Sequence, residues 1–183
     1  WIKNFNFAKQ YGCGRAKGDK TARKVGAFDM VSQGLPKLAD LQHYYLRFAR
    51  EQGYVQTLPD RTVDPDRGYP ILPSRTDDGR VLSTTPFNYH ISGTACWCKN
   101  TALVRCSARC TRWRAERFDA KISLEVHDEL IIDMPRVANK GNLPHARILQ
   151  SLMEQSGENL LPRIPTPVTI ELHLDSWAKG EVV

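Results

Sequence analysis

The chain has 183 residues, of which 41% are hydrophobic and 25% are charged, and its formal net charge is +6. This length and composition suit one ordinary domain, or parts of two, with a hydrophobic core. No apolar run approaches the roughly 18 residues that span a bilayer, which argues against a membrane protein, and the positive excess makes nucleic acid a reasonable partner. Because the chain begins with Trp1 and lacks a secretory signal, we expect a processed or partial cytoplasmic chain.

Helices are predicted over most of the first 52 residues. Residues 1–11 form the first, closed by a glycine-rich stop, and residues 21–33 form the second. Lys3, Phe7 and Tyr11 are spaced four residues apart, so they share one face of the first helix. Residues 35–52 give the clearest amphipathic pattern, and Gly53 supplies its C-terminal stop.

The middle of the chain alternates between extended and helical patterns. Residues 54–58 predict a short strand, and residues 59–80, which hold four prolines and several aspartates, predict a loop and a boundary between substructures. Helical character resumes at about Val81 and continues to Arg117. Within it a basic stripe recurs at i, i+4 and i+7, formed by Arg105, Arg109 and Arg112. Such a stripe is either a solvated face or a contact for phosphates.

Residues 122–134 predict a β-hairpin whose bend carries charge. The bend places an imidazole and two carboxylates on consecutive positions: His127, Asp128 and Glu129. This is either an ordinary charged turn or a group that binds a metal ion or transfers a proton. A helix over 143–155 and a half-buried strand over 168–174, expected in the same sheet as the hairpin, follow. The pattern predicts an α+β fold with helices packed on a small antiparallel sheet.

The five cysteines are odd in number and irregularly spaced, which argues against a disulfide framework. Cys96 and Cys98 together with Cys106 and Cys110 could form a four-cysteine zinc site. They lie in a helical stretch without the turn residues of a zinc knuckle, so packing in the core or on a helix face is the alternative.

Four separated segments occur in an order that resembles one family. They are Lys3-x3-Phe7-x3-Tyr11-Gly12, Gly53-Tyr54-Val55-Gln56-Thr57-Leu58 followed by Arg61, Asn88-x3-Ser92-Gly93-Thr94-Ala95, and Val126-His127-Asp128-Glu129. Each short pattern is weak alone, but the ordered set resembles the C-terminal part of family A DNA polymerases, the bacterial polymerase I and phage type. The resemblance implies that residues 1–80 are the later part of the fingers subdomain and residues 81–183 most of the palm.

The resemblance also implies a site. Asp128 would bind Mg²⁺, Glu129 would act beside it or toward the primer, and His127 would contact the end of the primer. Lys3 would bind the β- and γ-phosphates of the nucleotide, with the rings of Phe7 and Tyr11 against its sugar and base pair. Asn88, Ser92 and Arg61 would contact DNA. The expected partners are primer-template DNA and deoxynucleoside triphosphates, without a membrane and with any processivity factor left open, in the cytoplasm of a bacterial or phage-infected cell.

The sequence departs from the family in ways that matter for activity. Ser92 stands where the family has glutamine, and Thr62 where it has a second arginine. The family's other metal-binding aspartate belongs to a motif upstream of the fingers helix, and nothing in this chain supplies it. We therefore expect little or no polymerase activity from the chain alone. The alternatives are a fragment of a single-subunit RNA polymerase and a non-catalytic DNA-binding module that kept the fold.

Overall fold

The computed structural model describes residues 37–137, 141–173 and 180–183. The chain divides into two compact units, Trp1–Ala95 and Cys96–Val183. The helices predicted over 1–11 and 21–33 lie outside the described residues. The described part combines helices with short antiparallel strand pairs, so the predicted α+β class is confirmed. The assignment of 1–80 to fingers and 81–183 to palm stays a prediction.

In the first unit, a helix and a two-stranded sheet share a small core. Helix α1, Leu38–Gln52, ends at Gly53, which takes a left-handed conformation (φ 79°) and donates its N–H to the carbonyl of Ala49 at 3.1 Å. Strands β1, Val55–Gln56, and β2, Pro70–Ile71, pair antiparallel. The buried residues are Ala49, Val55 and Val81, with Leu46, Ile71 and Tyr89 packed against them.

Helix α2, Thr85–Ala115, confirms the helix predicted from Val81 to Arg117, and the boundary between the units falls within it. It ends in a Schellman motif. The N–H of Phe118 donates to the carbonyl of Trp113, that of Arg117 to the carbonyl of Arg114, and the rings of Phe118 and Trp113 meet edge to face. Arg117 takes φ 67° at the left-handed position that glycine usually fills.

The second unit contains the predicted hairpin and a further helix. Strands β3, Lys121–Val126, and β4, Glu129–Asp133, pair antiparallel with a bulge between Ile122 and Leu124. Helix α3, Leu143–Leu160, runs one turn beyond the predicted end at residue 155. The shared core holds Cys106, Cys110, Trp113, Ala120 and Leu149, with Ile122, Leu130 and Ile132 of the hairpin packed against it.

The last predicted strand differs from the structure in length and partner. Within the described residues strand β5 covers Glu171–His173 and pairs with β6, Gly180–Val182, so the prediction that it joins the hairpin sheet is wrong. The backbone of Val168 is instead held by side chains of α3, because its carbonyl accepts from Gln150 and its N–H donates to Glu154. Within the described ranges, no helix is long and apolar enough to cross a membrane.

Candidate functional site

The bend of the hairpin is a two-residue loop formed by His127 and Asp128, because Val126 pairs directly with Glu129. His127 takes φ 52°. A hairpin with a positive φ at the first loop position usually places glycine there. A side chain in this region costs on the order of 1–2 kcal/mol. Such strain is most often kept where the position of the residue serves a function.

The rest of the hairpin holds this bend in place. Ile122, Leu130 and Ile132 pack against the buried core cluster of the second unit. Two strands joined by a short turn are marginal by themselves, so this packing is what stabilises the hairpin. The bend lies at the far end of the strands, and His127, Asp128 and Glu129 are all exposed.

The four carboxylates of the hairpin fall into two classes. Glu125 forms an ion pair with Lys99, and the hydrogen bond between them raises the pKa of the lysine. Asp133 accepts a hydrogen bond from the Ser123 hydroxyl at 2.6 Å and lies 3.9 Å from the ammonium of Lys121. Asp128 and Glu129 have no hydrogen bond or ion pair in the described part of the chain. They are therefore the two hairpin carboxylates that remain available to a ligand.

The donor set at the bend suits a hard cation. Carboxylate oxygens are ligands that Mg²⁺ prefers, and one or two carboxylates commonly suffice when phosphates and water complete the shell. Among residues 37–137, 141–173 and 180–183, no cluster of three or more His, Cys, Asp or Glu could hold a metal ion. A metal at Asp128 would therefore need ligands from a substrate or from another part of the protein.

The cysteines of α2 do not provide the alternative zinc site. Cys106 and Cys110 are buried in the core of the second unit, and the Cys106 thiol faces the carbonyl of Leu149 at 3.9 Å. Burial raises the pKa of Cys106 to about 12 and also raises that of Cys110. Thiols that resist deprotonation are poor metal ligands, because the thiolate is the form that binds. Core packing, the alternative from the sequence, describes both residues.

The predicted DNA-contacting residues of the first unit lie on α2 and in the loop after β1. Asn88 and Ser92 are one helical turn apart, and the Ser92 hydroxyl donates to the carbonyl of Asn88 at 2.7 Å. Ser92 is exposed and Asn88 is half-buried. Arg61 is exposed in a turn fixed by the buried carboxylate of Asp60, which accepts from the N–H and the hydroxyl of Thr62.

Two residues of α2 fasten the segment 54–58 to this helix. The Thr94 hydroxyl accepts the N–H of Leu58 at 2.9 Å and donates to the carbonyl of His90 at 2.7 Å. Gly93, the residue before Thr94, leaves room for the side chain of Ile71 on β2, because a Cβ at this position would lie 2.1 Å from that side chain. Two of the segments that carry the family resemblance are therefore joined inside one unit.

His90 makes the second connection, and sequence reasoning missed it. Its Nδ1 lies 2.6 Å from the carbonyl of Gln56, and its Nε2 lies 2.8 Å from the hydroxyl of Tyr45. Because a carbonyl only accepts, Nδ1 carries the proton, and Nε2 accepts from the tyrosine. Burial lowers the pKa of His90 and raises that of Tyr45, which keeps both groups neutral. The partners are 34 and 45 residues away in sequence, so no local pattern could have revealed them.

The structure thus places the predicted residues in separate groups. Asn88, Ser92 and Arg61 belong to the first unit, and His127, Asp128 and Glu129 are consecutive in the second. Lys3, Phe7 and Tyr11 lie outside the described residues. The roles assigned to all of them stay predictions.

Comparison with known proteins identifies the family. The sequence model of the family described as DNA polymerase family A matches residues 2–179, which is nearly the whole chain. The chain therefore belongs to DNA polymerase family A, as the four segments predicted.

The relatives are bacterial enzymes. The chain is 27% identical over 186 residues to "DNA polymerase I, thermostable" of Thermus thermophilus. This alignment covers 98% of this chain and 20% of the relative. It is 31% identical over 140 residues to "DNA polymerase I" of Geobacillus stearothermophilus, covering 73% of this chain and 15% of the relative. "DNA polymerase I" of Bacillus caldotenax is 27% identical over 180 residues. The chain spans about a fifth of the length of these relatives or less.

Proposed function

We propose that this chain is part of a template-directed DNA polymerase, which transfers a nucleotide to the 3′-hydroxyl of a primer. The observation that carries the proposal is the family match over residues 2–179 together with Asp128, an available carboxylate at the bend of an anchored hairpin. The chain would contribute the later part of the fingers and most of the palm. Its location would be the cytoplasm of a bacterial or phage-infected cell.

The hairpin would hold the reacting groups. Divalent ions at this site would stabilise the charge that gathers on the phosphate oxygens and lower the pKa of the attacking hydroxyl. Asp128 would hold such an ion through its carboxylate, and Mg²⁺ fits this oxygen donor. Glu129, the first residue of β4 after the loop, would act beside Asp128 toward the primer. His127 would donate a hydrogen bond to the phosphate at the primer end.

The remaining predicted residues would bind the substrates. Lys3 supplies a point charge for the β- and γ-phosphates of the incoming nucleotide. The rings of Phe7 and Tyr11 would stack on its sugar and base pair, an interaction that tolerates any base.

The DNA contacts would come from the first unit. Asn88 and Ser92 would contact the minor groove, whose donors and acceptors vary little with sequence. The network of His90 and Thr94 would keep the segment with Arg61 in register with these two residues.

A two-ion mechanism needs a second carboxylate group near Asp128. No segment of this sequence resembles the family motif that carries it, and the relatives are about five times longer than the matched region. We therefore propose that the second carboxylate comes from outside these 183 residues, and that the isolated chain turns over little or no substrate.

Primer extension tests this proposal in two arms. The first uses the 183-residue chain, and the second uses the full product of the reading frame that encodes it, each with primer-template DNA and Mg²⁺. We expect template-directed extension with deoxynucleotides by the full product and none by the chain. Extension by the chain alone would contradict the missing-carboxylate proposal. A preference for ribonucleotides would favour an RNA polymerase, and DNA binding without extension by the full product would favour a non-catalytic module.

A further inference from the structure

Outside the hairpin, helix α2 carries an arginine stripe formed by Arg105, Arg109 and Arg112. At 100° and 1.5 Å per residue, the three side chains leave one flank of the helix within about 60° of each other and span about 10 Å along its axis. Between residues 105 and 117 the sequence holds five arginines and one acidic residue, Glu116. This stretch therefore carries a strong local excess of positive charge.

The stripe borders the buried face of the helix. Cys106, Cys110 and Trp113 point into the core, and Arg105 and Arg109 beside them are half-buried. The guanidinium of Arg109 lies 5.5 Å from the centroid of the Trp113 ring. This contact restricts the arginine before any ligand arrives, which reduces the entropy lost on binding.

No carboxylate among the described residues neutralises the charge of the stripe. In the described part of the chain, none of the three guanidinium groups of the stripe makes an ion pair or donates a hydrogen bond to a carboxylate. Lys99, on the same helix, shows the opposite case, because Glu125 of the hairpin neutralises it. Arg105 and Arg109 are half-buried and Arg112 is exposed, so within the described residues all three charges remain available to an anionic ligand.

We propose that the arginine stripe binds the phosphate backbone of DNA at a place separate from the hairpin bend. This inference rests on the proposed function, because it names a further contact with the same substrate. A guanidinium presents a rigid fork of donors that matches phosphate oxygens. The stripe rises about 6 Å and then about 4.5 Å between successive arginines, and one DNA strand advances about 3.4 Å per phosphate. Three arginines can thus contact one strand over a few consecutive nucleotides. The contact should be independent of sequence.

The salt dependence of DNA binding tests the stripe. The 183-residue chain and its Arg105→Gln/Arg109→Gln/Arg112→Gln variant are titrated into a fluorescent duplex at several salt concentrations, with folding checked by circular dichroism. Each phosphate neutralised contributes about 0.9 to the slope of log K against log salt. Loss of three contacts should therefore reduce the magnitude of this negative slope by about 2.7. Between 50 and 200 mM salt, the unaltered chain should lose roughly 40-fold more affinity than the variant.

Two controls separate a specific contact from net charge and from packing. Arg47→Gln/Arg75→Gln/Arg80→Gln removes the same three charges from the first unit, where each arginine already has a partner within the chain. It should leave the slope nearly unchanged. Replacing the three stripe arginines by lysine keeps the charge, and it should restore most of the slope even if the cation–π contact with Trp113 is weakened.

An equal fall in slope for both glutamine variants would overturn the proposal, since it would show an effect of net charge alone. An unchanged slope in the stripe variant would overturn it as well. DNA binding that persists with an unchanged slope leaves the proposed function standing, so the two failures are distinguishable. If the unaltered chain binds no DNA, the stripe proposal is wrong. Primer extension by the full product remains a separate test of the proposed function.

Discussion

Replacement of His127 by glycine should stabilise the second unit and impair catalysis at the same time. His127 occupies the first position of the hairpin loop at φ 52°, a conformation that glycine adopts without strain. Its side chain is exposed, so the change removes little packing. The side chain is also the group that we expect to contact the primer end. Stability and activity should therefore move in opposite directions.

The size of the stability change follows from two opposing terms. Relief of the left-handed strain contributes about 1–2 kcal/mol. The greater freedom of glycine in the unfolded chain removes about 0.5–1 kcal/mol. The difference is a stabilisation between about 0 and 1.5 kcal/mol, with a central value of about 0.75 kcal/mol. For a unit of this size the central value corresponds to a rise of about 3–6 °C in Tm.

The size of the catalytic change follows from the lost hydrogen bond. A hydrogen bond to a charged group contributes about 1.5–3 kcal/mol. At about 1.4 kcal/mol per factor of ten, the single-turnover rate of the full reading-frame product should fall about 10- to 150-fold. Thermal unfolding by circular dichroism and rapid-quench incorporation of one nucleotide measure the two effects.

Arg117→Gly is the matched control. Arg117 also has a left-handed backbone, φ 67°, at the end of α2, and it is exposed. Its replacement should give a similar rise in Tm with no change in the incorporation rate. A lower Tm for His127→Gly would refute the strain argument, and an unchanged incorporation rate would refute the role of the histidine at the primer end.

Three further predictions concern the network and the thiols. Tyr45→Phe removes the donor to His90 and should lower the free energy of unfolding by about 1 kcal/mol in urea titrations, and no loss would show that the bond is energetically silent. Because the pKa of His90 is lowered in the folded state, the contribution of His90 to the free energy of unfolding is fully present at pH values above the ordinary pKa of 6.5. This contribution is lost as the pH falls below 6.5. The urea midpoint should therefore fall between pH 7.5 and 5.5, less steeply in His90→Phe, and equal slopes would contradict this. Cys96 is exposed, whereas burial raises the pKa of Cys106 to about 12, so Cys96 should react with a maleimide well before Cys106. Equal reaction rates of the two thiols in the folded protein would contradict the packing of α2.

The elements with strong local patterns could be predicted from the sequence. Gly53 marks the end of α1 because a left-handed residue must close the helix there. The hairpin followed from apolar residues on both sides of a charged bend, and α2 from a long helical pattern. The family followed from segment order, since each segment was too short to be specific.

The features that failed or were missed depend on partners far away in the chain. Alternation over 168–174 predicts a half-buried strand, but it does not say which strand it pairs with, and β6 was the partner. Strand β2 has only two residues and begins with proline, so it gave no periodic signal. The positive φ of His127 had no sequence signal either, because the loop lacks the glycine that usually marks it.

The distance in sequence between the residues involved also explains which features of the site could be predicted. His127, Asp128 and Glu129 are adjacent, so one segment placed all three at the bend. The neutralisation of Glu125 and Asp133, which distinguishes them from Asp128, depends on Lys99 and on Lys121 and Ser123. Only the folded chain shows which carboxylates remain available.

The single-turnover rate of nucleotide incorporation by Asp128→Asn tests the central claim most directly. Asparagine keeps the size of the side chain and removes the charge that would hold a divalent ion, and the exposed bend should fold unchanged. In the full reading-frame product with Mg²⁺, the rate should fall by about 10³-fold or more, because the loss of several kcal/mol of charge stabilisation acts on the transition state. The Kd for primer-template DNA should stay within a factor of about three. A rate within tenfold of the unaltered protein would contradict the assignment of Asp128 as a metal ligand.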